Sequence, residues 1–593
     1  MKAIKGNGKS ASVKFLSIIS LLLALIWIDS ARAEGERPLT IAGLSQSEAL
    51  RLGERIYRKG LLSSGEPVQA VVKGDIPVAG TAFTCISCHL RSGLGSYEGE
   101  VLTPPTDGSN LFRPKKKSYK VVEASSASPS RPAYTDESLA EALQFGIDPA
   151  GRTLKDVMPR YILEEKDLAI LIFYLKSLSS QFSPGVSDTT IRFATVITDD
   201  VTPEERDAML VPLENYIKRN GTVTAYETGE ARLSESELLA NRIAYRQLSS
   251  VKRLSLSRWL LKGSPDTWLA QLEEYYRKEP VFALLGGITK GEWQPIHRFS
   301  EDHRIPCILP ITEFPVISET DWYTLYFSKG FYQEGEAAAR YLNNIYDSLK
   351  NKSIVQIVRD SREGRALSAG FQERWLGLGH PEPATITLKD GETLTRKVLH
   401  QRLASDKPVA LIIWDGPDAL PVLETISSER NRPEIVIISS GYLGNNIWTL
   451  KEQIRDFTYI TYPFRLPQAE IQYQAIASLM LKKEVHGDAQ MIVKQLYIIT
   501  RVLSQMLKDM SGQYYRDNFL DVIGMNRNPD SMIMLKGAAT GTGMGVALDE
   551  TYPLYERLSF GPDQRYASKG CYIVQLSKGP KPELIRKSDW VIY

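Results

Sequence analysis

Apolar runs separated by amphipathic stretches follow one another along the chain from Ile191 onward. Continuous apolar runs flanked by turn residues predict the buried strands of parallel sheets, which helices cover on both faces. Thr202, followed by Pro203 and Glu205, predicts the start of a helix, and Gly221 predicts its end. The strands predicted in this way are Ile191–Thr198, Val281–Leu285, Pro306–Leu309, Ile354–Val358, Val409–Trp414 and Ile435–Ile438.

These units form two successive rounds, which are too many for one doubly wound sheet of usual width. The first round covers about Ile191 to Thr324, and the second covers about Phe331 to Tyr462. Long helices are predicted after the second round, around Gln468–Lys482 and Ala489–Lys508. The pattern therefore predicts a two-lobed α/β unit.

The first third of the chain has a helical periodicity instead. Ser45 and Glu48 match a capping box that opens an amphipathic helix, and Gly53 on its apolar face allows a second helix to approach closely. That second helix is predicted over Glu164–Ser179, where leucine and isoleucine repeat at helical spacing. A third helix is predicted over about Asp136–Phe145.

The start of the chain has the pattern of an export signal. Lysines precede an apolar core over Phe15–Ile28, and Ala31-Arg32-Ala33 matches a cleavage site before Glu34. Because the apolar core is shorter than a membrane-spanning helix requires, cleavage after Ala33 is favoured over a retained anchor. We expect a periplasmic or otherwise exported protein with no membrane span once residues 1–33 are removed.

Length and composition point to more than one folded unit. A chain of 593 residues exceeds what one core usually holds, and 43% hydrophobic with 24% charged residues is ordinary for globular domains. The polar stretch 181–190 predicts a linker, which separates a small unit over 34–180 from a large unit over 191–593. The formal net charge of +2 gives no reason to expect a nucleic-acid partner.

The segment Cys85-Ile86-Ser87-Cys88-His89 carries the most specific chemistry in the sequence. Two thiols on one turn of backbone can form thioether bonds to both vinyl groups of one haem, with His89 as the proximal iron ligand. A redox dithiol needs no adjacent histidine, and a zinc site needs a second pair of ligands, whereas the next cysteine is Cys307. We therefore expect one covalent haem c, attached through Cys85 and Cys88.

Met158 is the candidate for the distal iron ligand. Within residues 34–180 it is the sole methionine, and no histidine besides His89 occurs there. Pro159 stiffens the loop that carries it, although Met158 can equally be a residue of the apolar core. An iron with histidine and methionine on its two sides has no open position, which favours electron transfer over peroxidase or oxygenase chemistry.

Over about Thr40 to Ser180 the sequence resembles the class I cytochromes c. The resemblance implies an all-α monohaem unit with a redox partner protein, in which His89 and Met158 are the axial ligands. The stretch Leu90–Pro132 departs from the family, and its basic cluster is more readily a solvated loop than a docking site for an acidic partner. The motifs that carry the resemblance are Gly53-x-x-Ile56-Tyr57, Cys85 to His89, Gly151 to Leu154, Met158 to Tyr161 and Tyr174 to Leu178, and the basic cluster is Arg113, Lys115, Lys116, Lys117 and Lys120.

From about Thr190 to Tyr593 the sequence resembles the type I periplasmic binding proteins, particularly the amino-acid-binding branch. The resemblance rests on the two rounds of strands and helices. It implies two Rossmann-like lobes joined by a hinge that close on a small solute such as an amino acid or organic acid. Lobe 1 would comprise about 191–330 and 464–535, and lobe 2 about 331–463 and 536–593.

In this fold a solute binds outside the carboxyl ends of the strands, between the lobes. Glycine amides and hydroxyl groups there can hold a carboxylate, and an aromatic ring can cover an apolar part. Each such residue can equally serve a turn or the core. The solute-binding candidates are Gly287, Thr289, Thr312, Ser361, Trp414, Asp415, Ser440 and Tyr442.

Other chemistry is weakly indicated. Cys307 and Cys571 lie in or beside apolar strands, which favours buried free thiols over a disulfide. The histidines outside the haem segment show no metal-ligand spacing, and no catalytic triad or dinucleotide fingerprint is recognisable. The sequence thus favours an electron carrier or binding protein over an enzyme.

Three functions remain open at this point. The first is an exported monohaem electron carrier whose solute-binding unit modulates its redox partnering. The second is a periplasmic solute receptor for transport or sensing with an accessory haem. The third is an oxidoreductase in which the cytochrome passes on electrons from the large unit.

Overall fold

The structure, a computed structural model, describes residues 40–72, 76–98, 101–115, 130–221, 252–349, 353–389, 391–466, 487–524, 554–556, 558–560 and 564–592. The predicted export signal, most of the basic cluster and the helix predicted around Gln468–Lys482 lie outside these residues. The chain divides into two compact units, with the boundary between Ser180 and Gln181 in the sequence and residues 97–101 grouped with the second. No helix in the described ranges has the length and apolar character to cross a membrane.

The first unit is organised around two helices that cross at a glycine. A Cβ added to Gly53 would lie only 2.4 Å from the Cβ of Tyr174, so the predicted close approach at Gly53 is confirmed. The elements up to Ser177 are α1 Gln46–Lys59, β1 Gln69–Val72, β2 Ile76–Ala79, α2 Ile86–His89, β3 Ser96–Glu98, β4 Val101–Thr103, α3 Gly108–Leu111, α4 Asp136–Gln144, β5 Arg160–Ile162 and α5 Glu165–Ser177, of which β3 and β4 include residues grouped with the second unit.

This unit is not all-α, in contrast to the prediction. Strand β1 lies between β2 and β5 in an antiparallel sheet, and β3 pairs with β4. The reason is local: the connection between α1 and Cys85 is long enough to form a hairpin, and its backbone groups pair with the strand that follows Met158. Strands this short carry little periodicity, so the sequence did not reveal them.

Lobe 1 of the second unit is a fully parallel sheet in the order β10-β9-β8-β6-β7. The capping box at Thr202 is confirmed, because the Glu205 amide donates to Thr202 Oγ1 (3.3 Å) and the Thr202 amide donates to Glu205 Oε2 (3.1 Å). The elements are β6 Thr190–Thr198, α6 Pro203–Gly221, β7 Arg253–Leu261, α7 Trp268–Lys278, β8 Ala283–Leu285, α8 Gln294–Asp302, β9 Cys307–Ile308 and β10 Thr324–Leu325.

Lobe 2 contains a mixed sheet in the order β12-β11-β13-β14-β15-β16-β17, parallel up to β15 and antiparallel beyond it, with β18 paired to β16. Its elements are α9 Phe331–Ile345, β11 Ile354–Arg359, α10 Arg362–Gly377, β12 Ala384–Leu388, α11 Arg396–Asp406, β13 Ala410–Trp414, α12 Leu420–Ile426, β14 Ile435–Ser439, α13 Ser440–Leu443, α14 Glu452–Arg455, β15 Thr458–Tyr462, β16 Gly570–Leu576, β17 Leu584–Arg586 and β18 Val591–Ile592. Two further helices, α15 Gly487–Asp509 and α16 Arg516–Gly524, lie between β15 and β16 in the sequence.

Both sheets are covered on both faces, as continuous apolar strands predict. Phe193 and its neighbour Ala194 in β6 belong to different core clusters, and so do Ile413 and Trp414 in β13. Successive residues of one strand therefore enter opposite layers of packed helices.

The division between the lobes differs from the predicted one near the end of the chain. Helices α15 and α16 pack in the core of lobe 1, as expected. Leu554, Leu558 and Ala567, which were predicted in lobe 2, pack there as well, and among the described residues the next strand of lobe 2 begins at Gly570.

Candidate functional site

The helical turn α2 brings together the two thiols and the imidazole of the Cys85–His89 segment. The amides of Cys88 and His89 donate to the carbonyl of Cys85 at 3.3 and 2.8 Å, so both thiols and the imidazole lie on one turn. Neither cysteine forms a disulfide. The residue types and their local geometry are those that thioether attachment of a haem requires.

A backbone carbonyl fixes the ring of His89. Its Nδ1 lies 2.8 Å from the carbonyl oxygen of Pro104, and only 8% of the residue is exposed. Burial lowers the pKa of His89, which favours the neutral ring. With Nδ1–H donating to Pro104, the lone pair is on Nε2, which is the arrangement that iron ligation by histidine uses.

Met158 lies in a loop that is held by hydrogen bonds from two residues of β5. The Arg160 guanidinium donates to the carbonyls of Met158 and Leu154, and the Tyr161 hydroxyl donates to the carbonyl of Phe83 at 3.0 Å. Tyr161 thereby links the methionine loop to the residues just before Cys85. Met158 and Cys85 are both partly buried against the same apolar core.

An apolar recess opens beside Cys85, with a volume of about 240 Å³ including its mouth. Its enclosed part measures only about 10 Å³, roughly the space of one water molecule, so the recess does not enclose a ligand. Phe83 (42% exposed) and Val157 (63% exposed) offer further apolar surface next to Cys85 and Met158 in the sequence. The recess is lined by Ile56, Gly60, Val68, Phe83, Thr84, Cys85, Tyr161, Leu163 and Leu171.

In the second unit, two predicted solute-binding residues meet at the carboxyl ends of the strands. Ser361 follows β11, Tyr442 follows β14, and their hydroxyl oxygens lie 2.8 Å apart. Ser361 Oγ also accepts the Gly364 amide at 3.1 Å and so caps α10. Ser440, in the same turn as Tyr442, is buried, and its hydroxyl has no hydrogen-bond partner among the described residues.

Two other candidates of lobe 2 are used within the lobe itself. Asp415 is bound by both ends of the Arg359 guanidinium, Nε–Oδ1 at 2.7 Å and Nη2–Oδ2 at 3.0 Å. Trp414 is fully buried, and its indole N–H donates to Gln356 at 3.0 Å. Trp414 is therefore a core residue and does not cover a solute, because its ring points into the helical layer.

The candidates of lobe 1 lie in tight turns after β8 and β9. Gly287 has φ +95°, and a Cβ there would come within 2.7 Å of the Trp293 ring, so both backbone and packing require glycine. Thr289 accepts the Gly291 amide and Thr312 accepts the Phe314 amide, each at 3.0 Å. Both hydroxyl groups thus stabilise turns, which was the alternative to solute binding that the sequence left open.

Aromatic and charged residues that the sequence did not single out lie at the same edge. The ring centroid of Phe331 is 5.4 Å from that of Phe314 and 6.3 Å from that of Tyr442. The Arg362 guanidinium lies over Phe314, 4.9 Å from the ring centroid. Arg362 directly follows the candidate Ser361, and Phe314 closely follows the candidate Thr312. The positions of Arg362 and Phe314 just after strand ends could therefore have marked them as candidates in the sequence.

Glu334 in α9 is a buried carboxyl group beneath this edge. It accepts hydrogen bonds from Ser439 Oγ (2.9 Å), the Gly441 amide (3.2 Å) and Thr461 Oγ1. Burial raises the pKa of Glu334 to about 7 despite these donors. A glutamate within a helix normally indicates solvent exposure, so the sequence offered no signal for this role.

Comparisons with known proteins address the second unit. A family model described as periplasmic binding protein matches residues 261–580, just over half of the 593 residues. The chain belongs to the periplasmic binding protein family. The match does not reach the first unit, and no curated protein matches the chain.

Solved structures similar to this periplasmic binding protein are distant in sequence. A putative branched-chain amino acid ABC transporter protein from Rhodospirillum rubrum is 10% identical, with 68% of this chain and 99% of that chain covered and a TM-score of 0.44. A branched-chain amino acid ABC transporter protein from Thermus thermophilus with bound valine is 10% identical, with 68% and 97% covered and a TM-score of 0.42. A solute-binding protein from R. palustris in complex with benzoate is 11% identical, with 68% and 96% covered and a TM-score of 0.40.

The described cysteines and histidines outside the Cys85–His89 segment of this periplasmic binding protein serve its structure. Cys307 and Cys571 are buried free thiols in different lobes. His297 contacts the Tyr326 hydroxyl and the Asp321 carboxylate, each at 2.9 Å. Within the described ranges, no cluster of histidine, cysteine and carboxylate side chains could hold a metal ion.

Proposed function

We propose that the protein is an exported receptor for a small organic solute that binds between lobe 1 and lobe 2. The observation that carries the proposal is the contact of Arg362 from lobe 2 with Phe314, which follows β9 of lobe 1. Membership of the periplasmic binding protein family supports it. Export is proposed from the signal pattern over residues 1–33.

A thermal-shift screen of the purified full-length protein tests this function. The screen should include amino acids, organic acids and aromatic compounds, and we expect one class to raise the melting temperature in a concentration-dependent way. The matched control is a variant with Ser361→Ala and Tyr442→Phe, in which the response to that class should weaken. If no class stabilises the protein, the receptor function is wrong. N-terminal sequencing of secreted material should begin at Glu34.

We also propose that the first unit carries one covalent haem c. Cys85 and Cys88 would hold it through thioether bonds, His89 would be the proximal ligand and Met158 the distal ligand. Haem bound in this way supplies one-electron transfer. The chain's own contribution is orientation: the Pro104 carbonyl fixes the imidazole tautomer, and Arg160 fastens the loop that carries Met158.

Acidified acetone distinguishes covalent from non-covalent pigment. We expect the colour of the purified protein to stay with the precipitate, and the mass of the intact chain to exceed the sequence mass by one haem. Cys85→Ala with Cys88→Ala should remove both signals, whereas Cys307→Ala should change neither. Colourless wild-type protein from a strain that matures other cytochromes c would refute the haem proposal and leave the receptor function untouched.

A second candidate function is electron transfer that responds to the solute. The observation in its favour is that the haem-attachment segment and the solute-binding fold occur in one chain. A redox titration with and without the stabilising solute tests it. An unchanged potential and unchanged rate of reduction by an external donor would exclude the coupling.

A further inference from the structure

Arg362 has a positive charge at a position where its helix disfavours one. It is exposed, it is the first residue of α10, and its guanidinium has no hydrogen bond or ion pair within the described ranges. A cation in the first turn meets the positive end of the helix dipole. Arg365, in the next turn, is instead paired with Asp360 at 2.6 Å. Helix stability alone therefore does not account for Arg362.

The guanidinium of Arg362 is placed against lobe 1. It stacks over Phe314 at 4.9 Å, and its Nη1 would lie 3.7 Å from a Cβ added to Gly291. Thr289 Oγ1 would lie 3.6 Å from the same point. Since α10 belongs to lobe 2, the position of this charge is determined by both lobes.

A series of side-chain contacts leads from Arg362 through three aromatic rings and back to the residue before Arg362. Phe314 packs on Phe331, Phe331 meets the edge of Tyr442, and the Tyr442 hydroxyl contacts Ser361, the residue before Arg362. These contacts form a closed circuit with three aromatic rings. The cation in the circuit has no anionic partner in the part of the chain that the structure describes.

Acidic residues adjoin the circuit on the same side of the sheets. Glu313 precedes Phe314, and its carboxylate is close enough to those of Asp488 and Glu334 for mutual repulsion. Glu334 is already engaged by Ser439, Gly441 and Thr461. The Lys290 ammonium also acts on Glu313, so charged groups of both signs border the circuit.

We propose that Arg362 binds the carboxylate of an aromatic acid whose ring packs along Phe314 and Tyr442, the two partly exposed rings that the buried Phe331 supports. The inference rests on the proposed function, because it requires that a solute enters between the lobes. A guanidinium donates two parallel hydrogen bonds to a carboxylate, and its charge makes these bonds stronger than neutral ones. The aromatic rings supply apolar contact area and edge-to-face packing.

Calorimetric titration of the full-length protein with benzoate and with benzamide, its uncharged counterpart, tests the proposal. We expect benzoate to bind at least about tenfold more tightly than benzamide. Arg362→Gln should weaken benzoate binding by about ten- to a hundredfold and leave benzamide unchanged. Arg362→Lys should restore part of the loss. Arg365→Gln is the matched control on the same helix, and it should bind benzoate as the natural protein does.

Each alternative result has a distinct meaning. Equal binding of benzoate and benzamide, or undiminished binding by the Arg362→Gln variant, overturns the role of Arg362. Cyclohexanecarboxylate binding as tightly as benzoate overturns the aromatic requirement. If benzoate does not bind but another solute class raises the melting temperature, this inference is wrong while the receptor function stands. If no solute of any class binds, both are wrong.

Discussion

The hydroxyl groups of Ser361 and Tyr442 lie 2.8 Å apart, although 81 positions separate them in the sequence. Ser361 follows β11 and Tyr442 follows β14, so the contact exists because parallel strands bring their carboxyl ends to one edge. The same serine caps α10. One side chain thus serves both the helix and the candidate binding edge.

Ser361→Ala should cost more stability than Tyr442→Phe. The alanine variant loses the cap on the Gly364 amide as well as the contact with Tyr442, and loss of a serine cap typically costs about 1 kcal/mol. The phenylalanine variant loses only the hydroxyl contact, with a cost of about 0.5–1.5 kcal/mol at most. Urea denaturation followed by circular dichroism measures both. A larger loss in Tyr442→Phe would contradict the double role of Ser361.

The buried carboxyl group of Glu334 should make stability fall as the pH rises. Its pKa is raised from 4.5 to about 7, so between these values the folded protein holds a proton that the unfolded chain has lost. Folding is therefore favoured below about pH 4.5 by the neutral carboxyl, and this contribution is lost as the pH rises toward 7, with a size of a few kcal/mol at most.

Glu334→Gln isolates this effect, because the amide does not ionise. The difference in unfolding free energy between the natural protein and the variant should shift in favour of the variant as the pH rises from 5 to 8. Thermal denaturation at several pH values measures it. A difference that is independent of pH would show that Glu334 is ionised throughout.

Gly53→Ala should destabilise the first unit. The new methyl group would lie 2.4 Å from Tyr174 Cβ and 2.9 Å from the Ile170 carbonyl, so α1 and α5 must separate, at a cost of about 1–3 kcal/mol. Gly377→Ala is the control, since it lies in α10 with nothing within 4 Å of an added Cβ. We expect that control to be neutral or slightly stabilising. Equal effects of the two substitutions in differential scanning calorimetry would argue against close packing at Gly53.

Met158→Ala should separate haem attachment from axial ligation. The proposed thioether sites at Cys85 and Cys88 are unchanged, so the content of the proposed haem per chain should stay the same. The absorption spectrum should change to that of an iron with an open position, and added imidazole should bind. Leu154→Ala is a control in the same loop, because both side chains pack against the same core. A spectrum of the Met158→Ala variant identical to that of the natural protein would assign the distal position to another group.

Much of the α/β unit was predictable because its central strands are buried on both faces. Ile354–Arg359 and Ile435–Ser439 read as continuous apolar runs and were found within one residue. Strand β7, Arg253–Leu261, was missed because it is an edge strand, in which exposed and buried residues mix. The apolar strand beside Cys571 was recognised and forms β16 of lobe 2, but Leu554, Leu558 and Ala567 were assigned to lobe 2 although they pack in lobe 1, because a sequence pattern does not show to which lobe a connecting segment belongs.

The sequence predicted only part of the candidate site. Ser361 and Tyr442 were found from their position after strands, a rule that depends only on topology. Trp414 was assigned to the site although it ends inside the core, because the side of the strand that a residue faces is set by register. Glu334 could not be found, since its burial depends on donors 105 and 127 positions away.

The place of β16 in lobe 2 has a consequence for how the protein is made. All seven residues of this strand are buried between β15 and β17, yet they are synthesised after every segment that the structure places in lobe 1. Until they emerge from the ribosome, the apolar edge of β15 is open to other chains. Because Leu554, Leu558 and Ala567 also belong to the core of lobe 1, the last part of the chain completes both lobes, and a chain truncated before Gly570 would leave this edge of β15 unpaired.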